Sequence, residues 1–380
     1  MKNEKKDKKL NIGNLILLIA LSLIILAFSV SFLFNGEKSF SEEENRSLQT
    51  FPRFTLTKLL DGTYTKQLHD FYSDQISLRN ILIELKASCE LGMGKNENNS
   101  VLLGKDGYLI DKHEYNEQNY LYIEKNTDKI AAFCDLLYLS DISANAFIVP
   151  RKVDVVTDML PPYYSTERNE MAWSYVSPTG FGDLTATLKK AHKDGADVFF
   201  RTDHHWTSIG AYYAYVELAE TLDIVPLPLE SFSLYCASEE FYGTTYSSSG
   251  FFGAGADTLL LPQNKESFVT EIADTGISFE GFYDLSYLEK KDKYSVFISG
   301  NNAHVSVRRA DGKERETLLL VKDSFSHALV PYLAEHFDLE IIDLRYYTDS
   351  LSNFIEANRI TNVLFIYGLD TLASANISIR

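Results

Sequence analysis

The sequence predicts an α/β domain with a mainly parallel sheet, preceded by one apolar helix at the N-terminus. Three observations support this. Of the 380 residues, 45% are hydrophobic and 23% charged, a globular composition with enough length for one large domain or two ordinary ones. From residue 101 onward, short apolar runs alternate with helical stretches, the pattern of strands joined by helical crossovers. Residues 15–34 (LILLIALSLIILAFSVSFLF) carry no charge at all.

In chain order, residues 1–9 form a basic tail in which Lys2, Lys5, Lys6, Lys8 and Lys9 face only Glu4 and Asp7. Residues 10–36 follow as a transmembrane anchor, because about 20 apolar residues at about 1.5 Å each span a hydrocarbon layer of roughly 30 Å. The lysines hold the N-terminus in the cytoplasm and place the main domain outside, giving a single-pass protein of the cell membrane. A cleavable signal peptide ending near Ser29-Val30-Ser31 is the alternative, although its apolar region is usually only about 7–15 residues long. Residues 37–100 read as a juxtamembrane spacer. Within it, residues 66–88 place Leu68, Phe71, Tyr72, Leu78, Ile81, Leu82 and Leu85 at mostly three- and four-residue spacings, an amphipathic helix.

Residues 101–380 form the α/β domain. Strands are expected over residues 146–150, 197–201, 317–322, 339–343 and 362–367. Helices are expected over 127–137, 184–192, 208–222, 327–336 and 349–356. Between about 226 and 311 the alternation weakens and Gly243, Gly250, Gly253 and Gly255 cluster, so an irregular or β-rich insertion is expected. Its aromatic residues Tyr242, Tyr246, Phe251 and Phe252, with Tyr346 and Tyr347 further on, suit either a sugar-binding groove or the core.

The net charge of -17 removes nucleic acid from the expected partners, since that interaction depends on Lys and Arg neutralising phosphate. Cys89, Cys134 and Cys236 are too widely spaced for a metal knuckle or a disulfide framework, and buried free thiols are expected.

Two segments can carry chemistry. In Arg201-Thr202-Asp203-His204-His205-Trp206-Thr207, an extended backbone at a strand end points Asp203 and His205 to one side. There a carboxylate holds the tautomer of an imidazole base and stabilises its cation. In Val321-Lys322-Asp323-Ser324-Phe325-Ser326-His327, an apolar strand runs into a serine at a tight turn before a helix, so the hydroxyl is exposed and helix-start N–H groups face the reaction centre. Open α/β sheets collect ligand-binding groups at such strand ends. Asp203, His204 and His205 are also a conceivable metal set, but neighbouring histidines on an extended chain diverge and no second ligand cluster is seen, so no metal is expected.

The segment RTDHHWTSIGAYYAY resembles the signature of the DHHW protein family. The landmarks Glu44-Asn45-Arg46-Ser47-Leu48 with Phe51-Pro52, the stretch from Leu60 to Tyr64, then Tyr72, Asp74 and Arg79, then Gly104-Lys105-Asp106-Gly107-Tyr108-Leu109, then Asp323-Ser324 and Asp343-Leu344-Arg345-Tyr346-Tyr347 resemble that family in order. The DHHW family is similar in turn to the SGNH-hydrolase-like O-acetyltransferases of the AlgJ and AlgX type. The resemblance implies an SGNH-hydrolase-like three-layer sandwich, with Ser324 as nucleophile, His205 as base and Asp203 as its orienting partner. Lys322 stands where ordinary SGNH enzymes have glycine. Asn301, beside Gly300, is the best candidate oxyanion donor, with His204, Arg345 and Tyr346 as further substrate-binding candidates.

The resemblance also implies acetyl transfer to a polysaccharide acceptor. No soluble cofactor is expected, because coenzyme A is absent outside the membrane and a multi-spanning acyltransferase of the MBOAT type would pass the acetyl group across. The acidic exterior favours a neutral or cationic polymer over a uronate-rich one. An esterase using the same triad, and a non-catalytic partner of the membrane acyltransferase, are the alternatives.

Overall fold

The computed structural model describes residues 12–34, 36–41, 46–76, 78–176, 180–251, 253–374 and 376–379. The basic tail, the landmark residues Glu44 and Asn45, and Phe252 lie outside the described residues. The chain divides into two compact units, one ending at Cys89 and one beginning at Glu90.

In the first unit, Ile12–Phe34 is a single helix of 23 residues. Counted over their described residues, no helices are long and apolar enough to cross a membrane, so the anchor is taken up below as a proposal. The segment expected as one amphipathic helix is two, Thr63–Gln75 and Arg79–Gly92. Leu78 between them has φ of 60°, a left-handed backbone that no α-helix continues through. Asp74 accepts the Gln49 N–H at 2.8 Å, and Phe51 meets Phe71 edge-on with centroids 5.2 Å apart, so the spacer's landmark residues dock onto the first of these helices.

The second unit is built on an eight-stranded sheet with strands β1 (Ser143–Val149), β2 (Phe181–Asp183), β3 (Phe268–Ile272), β4 (Ile277–Glu280), β5 (His304–Arg309), β6 (Thr317–Lys322), β7 (Asp338–Ile342) and β8 (Asn362–Gly368), in spatial order β4-β3-β5-β7-β6-β8-β1-β2. The five strands from β7 to β2 pair in parallel. The other three pairings are antiparallel. The sheet is therefore mixed: the parallel strands expected are its larger part, and three antiparallel strands extend it on one side. The stretch expected to be irregular or β-rich supplies β3, β4 and β5, and a four-residue turn between β3 and β4 admits only antiparallel pairing, since parallel strands need a long crossover.

Alternation along β6 explains its unbroken apolar run. Leu318 and Leu320 enter one core with Leu188, Trp206 and Leu218, while Leu319 and Val321 enter another with Ile123, Ile130 and Ile355. Helices Thr185–Lys193 and Ser208–Thr221 cover the first face, and Glu117–Tyr138 and Leu351–Ala357 the second. All three cysteines are free, but only Cys134 is buried, so Cys89 and Cys236 do not serve as core residues.

Candidate active site

Ser324 follows the C-terminal end of β6, in the turn where the parallel strands deliver their polar residues. The expected α-helix over 327–336 is a 3-10 helix, Ser324–Leu329, running into one short α-turn, Val330–Leu333. Pro331, which has no N–H, is tolerated only in the first turn of that α-helix. Asp323 caps the serine turn. Its carboxylate accepts the Phe325 N–H at 3.0 Å, the Gly368 N–H at 2.7 Å and the Thr371 hydroxyl at 2.6 Å, tying the nucleophile turn to the end of β8.

Asp203 and His205 do not sit at a strand end. Residues 197–201 make an isolated bridge between Phe199 and Trp206, not a sheet strand, and residues 201–205 form a folded-back loop. The backbone there is satisfied from outside any ladder. Asp257 accepts the N–H groups of Arg201 and Thr202 at 2.8 and 2.7 Å, and the Arg201 carbonyl accepts the Leu109 N–H at 2.8 Å. The loop turns because Asp203 Oδ1 accepts both the His205 backbone N–H (2.9 Å) and His205 Nδ1–H (2.6 Å). The other carboxylate oxygen accepts the Thr244 N–H and hydroxyl at 2.8 and 3.0 Å.

The loop lies against the serine turn. His205 Nε2 is 2.8 Å from Ser324 Oγ, and Trp206, fully buried, donates its indole N–H to the Phe325 carbonyl at 2.8 Å. With Asp203 on Nδ1, the neutral ring carries its proton there and Nε2 accepts from the serine hydroxyl. Tyr294 stacks on the imidazole with centroids 3.9 Å apart and planes 10° from parallel, and Phe325 meets it edge-on at 5.0 Å. Burial, with His204 adding to it, lowers the His205 pKa to about 4 against the opposing pull of Asp203. Burial acts to raise Asp203, but the two histidines and its hydrogen bonds outweigh it and hold the carboxyl well below its ordinary range. Ser324 is half-buried and so open to a second reactant.

The other candidates fall into two groups. His204 is half-buried, with Nδ1 at 2.7 Å from the Thr244 hydroxyl and its ring 3.8 Å from that of His205. Asn301 accepts from Arg345 at 3.1 Å, and Arg345 donates to both oxygens of Asp343 at 2.9 and 2.6 Å. Tyr346 is exposed under the Arg345 guanidinium. Asn301 and Gly300 follow a 3-10 turn, Lys293–Val296. Ile298, Ser299 and Gly300 then take positive φ of 47°, 59° and 77° in succession, a strained run pinned in part by the Ile298 N–H on the Phe282 carbonyl at 2.7 Å. In the aromatic set, Tyr242 and Tyr246 are paired at 4.6 Å with Lys291 over both rings, while Phe251 is buried.

Lys322, the last residue of β6, is fully buried. Its ammonium lies 2.8 Å from His327 Nε2 and 3.3 Å from Asp343 Oδ2, and burial lowers its pKa against the pull of Asp343. Sequence reasoning missed Thr244, Tyr294 and Thr371, which hold Asp203, the imidazole face and Asp323. No local pattern marks them, since each acts across at least 40 residues of chain. Among the described residues, Asp203, His204 and His205 gather metal-ligating atoms within 4.8 Å, with both nitrogens of His205, both oxygens of Asp203 and Nδ1 of His204 engaged by one another, Thr244 and Ser324.

A Ser, His and Asp chain whose serine follows a strand end of an α/β sheet has the geometry that serine-dependent acyl transfer requires. Residues 181–342 match the family model described as DHHW protein, and residues 101–239 match the SGNH hydrolase-like domain of acetyltransferase AlgX. Over 197 residues the chain is 27% identical to the protein named probable alginate O-acetylase AlgJ of Pseudomonas fluorescens, covering 48% of this chain and 49% of that protein. The chain thus spans about half the length of the curated relatives it matches. In fold it is similar to a DHHW family protein from Eubacterium siraeum, with a TM-score of 0.56 at 22% identity over 74% of this chain and 94% of the other. It is also similar to Bacillus cereus PatB1 with a sulfonyl adduct, with a TM-score of 0.60 at 19% identity over 74% and 98%.

Proposed function

We propose that the protein is a membrane-anchored, extracytoplasmic O-acetyltransferase with an SGNH-like domain that acetylates hydroxyls of an exported or cell-wall polysaccharide. The observation that carries this reading is the continuous contact from Ser324 Oγ to His205 Nε2 at 2.8 Å and from His205 Nδ1 to Asp203 at 2.6 Å. The likeness to AlgJ-type acetylases and AlgX supports the choice of acetyl as the group moved.

In the first half-reaction, Ser324 Oγ attacks the acetyl carbonyl and His205 Nε2 takes its proton, then passes it to the departing donor group. In the second, a sugar hydroxyl attacks the acetyl-serine. His205 takes that proton and returns it to Ser324. Asp203 stabilises the imidazolium formed in each half. The donor is a membrane acyltransferase of the MBOAT type, and the Ile12–Phe34 helix holds the domain where the acetyl group emerges, raising the effective concentration of the two proteins.

The test is acyl-enzyme trapping with p-nitrophenyl acetate. Acetyl on Ser324, read by peptide mass spectrometry, is expected in the parent protein, is absent from Ser324→Ala, and forms about 10³-fold or more slowly in His205→Ala. Equal behaviour of all three sinks the triad. Added oligosaccharide distinguishes transfer from the esterase alternative, in which water alone resolves the acetyl-serine.

A further inference from the structure

The domain also opens a cleft of about 570 Å³, lined among others by Lys112, His113, Glu114, Tyr163, Tyr164 and Arg168. That volume lies in the range of small-molecule sites. Two paths of side-chain contact tie this cleft to the triad. On one side, Asp111, the residue before Lys112, accepts the Thr245 hydroxyl at 2.8 Å, and the adjacent Thr244 holds Asp203. On the other, His113 Nδ1 pairs with Asp370 at 2.9 Å, and the next residue, Thr371, donates to Asp323, which precedes Ser324. His113 thus contacts Asp370, just after the end of β8, and β8 pairs with β6, whose end leads into Ser324.

The lining has the chemistry of a sugar site. Tyr163 is 98% exposed, a full aromatic face that contributes nothing to the core. With His113 Nδ1 committed to Asp370, Nε2 is the ring nitrogen left for a ligand hydroxyl. Tyr164 is half-buried and donates to Oδ1 of the buried Asn169, behind the lining, at 3.3 Å. Lys112 pairs with Glu97 at 3.1 Å and Glu114 at 2.9 Å, and Lys95 and Arg168 are matched in the lining by Glu167, so cations and carboxylates are close to balance there.

We propose that this cleft is the acceptor subsite, holding a neutral oligosaccharide with one ring stacked on Tyr163 and a hydroxyl bound by His113. This rests on the reading of the protein as a polysaccharide O-acetyltransferase. The chain's net charge of -17 disfavours a uronate chain.

Calorimetric titration of the full-length Ser324→Ala protein with chitohexaose, cellohexaose and hexamannuronate tests this without any acetyl chemistry. A neutral hexasaccharide is expected to bind more tightly than the uronate. Adding Tyr163→Ala is expected to weaken binding by about tenfold and His113→Gln by severalfold, while Tyr138→Ala, an exposed aromatic elsewhere, leaves it unchanged. Thermal unfolding checks that each variant is folded. The subsite is overturned if neither neutral sugar binds, if the uronate binds more tightly, or if Tyr163→Ala and His113→Gln bind like the parent. Binding in this assay with no acetyl transfer by the acetylated wild-type protein overturns the transferase reading and leaves the subsite standing.

Discussion

At His205, enclosure by Tyr294, Phe325 and Trp206 favours the uncharged imidazole, which is the form a base needs. With a pKa lowered to about 4, the acid limb of acetyl-Ser324 formation is expected well below the ordinary imidazole value, and a pH–rate profile of nitrophenol release measures it. A limb near pH 6.5 would show that the ring is solvated in the working protein. The same shift governs stability. Below about pH 6.5 the unfolded chain binds a proton at this position and the folded one does not, so stability is complete above that pH and falls progressively as pH drops toward 4. His327, lowered chiefly by burial and further by Lys322, acts in the same direction. Urea unfolding midpoints across this window check the sign.

Among the elements, the loop of residues 201–205 and the serine turn are held by close backbone approaches that only glycine permits. A Cβ at Gly243 would lie 2.2 Å from the Asp203 Cβ and 2.3 Å from its Oδ2, inside any tolerable contact. Gly243→Ala is therefore expected to push Asp203 off His205, lowering acyl-enzyme formation by at least about tenfold and destabilising the fold by about 1–3 kcal/mol. Trapping yield and denaturant unfolding measure the two effects separately. Unchanged trapping would mean that Asp203 does not need this position. The element scale is also where the sequence was least legible. Residues 197–201 carry the apolar pattern of a strand, but Val198 and Phe200 pair back with residues 207 and 205, while Asp257, more than fifty residues away in the chain, and Leu109 take the backbone bonds of Arg201. The Ser324 turn was legible because a six-residue apolar strand must end before a polar cap, and Asp323 supplies that cap locally.

For the whole molecule, the proposed anchor makes a direct prediction. Full-length protein should remain in the membrane pellet after an alkaline carbonate wash, and deletion of residues 1–36 should release it into the supernatant. Release of the intact chain by the wash would remove the anchor and with it the argument for a membrane-borne acetyl donor. The sequence alone determined the apolar N-terminal segment, the α/β alternation and the identity of Asp203, His205 and Ser324 as candidates, because composition, period and capping are properties of neighbouring residues. Tertiary structure alone decided three further features: the mixed sheet, the 2.8 Å contact between groups 119 residues apart, and the cleft joined to them through Thr245 and Asp370. Each depends on which distant segments saturate a backbone edge or share a sheet end, and chain-local chemistry leaves that choice to packing.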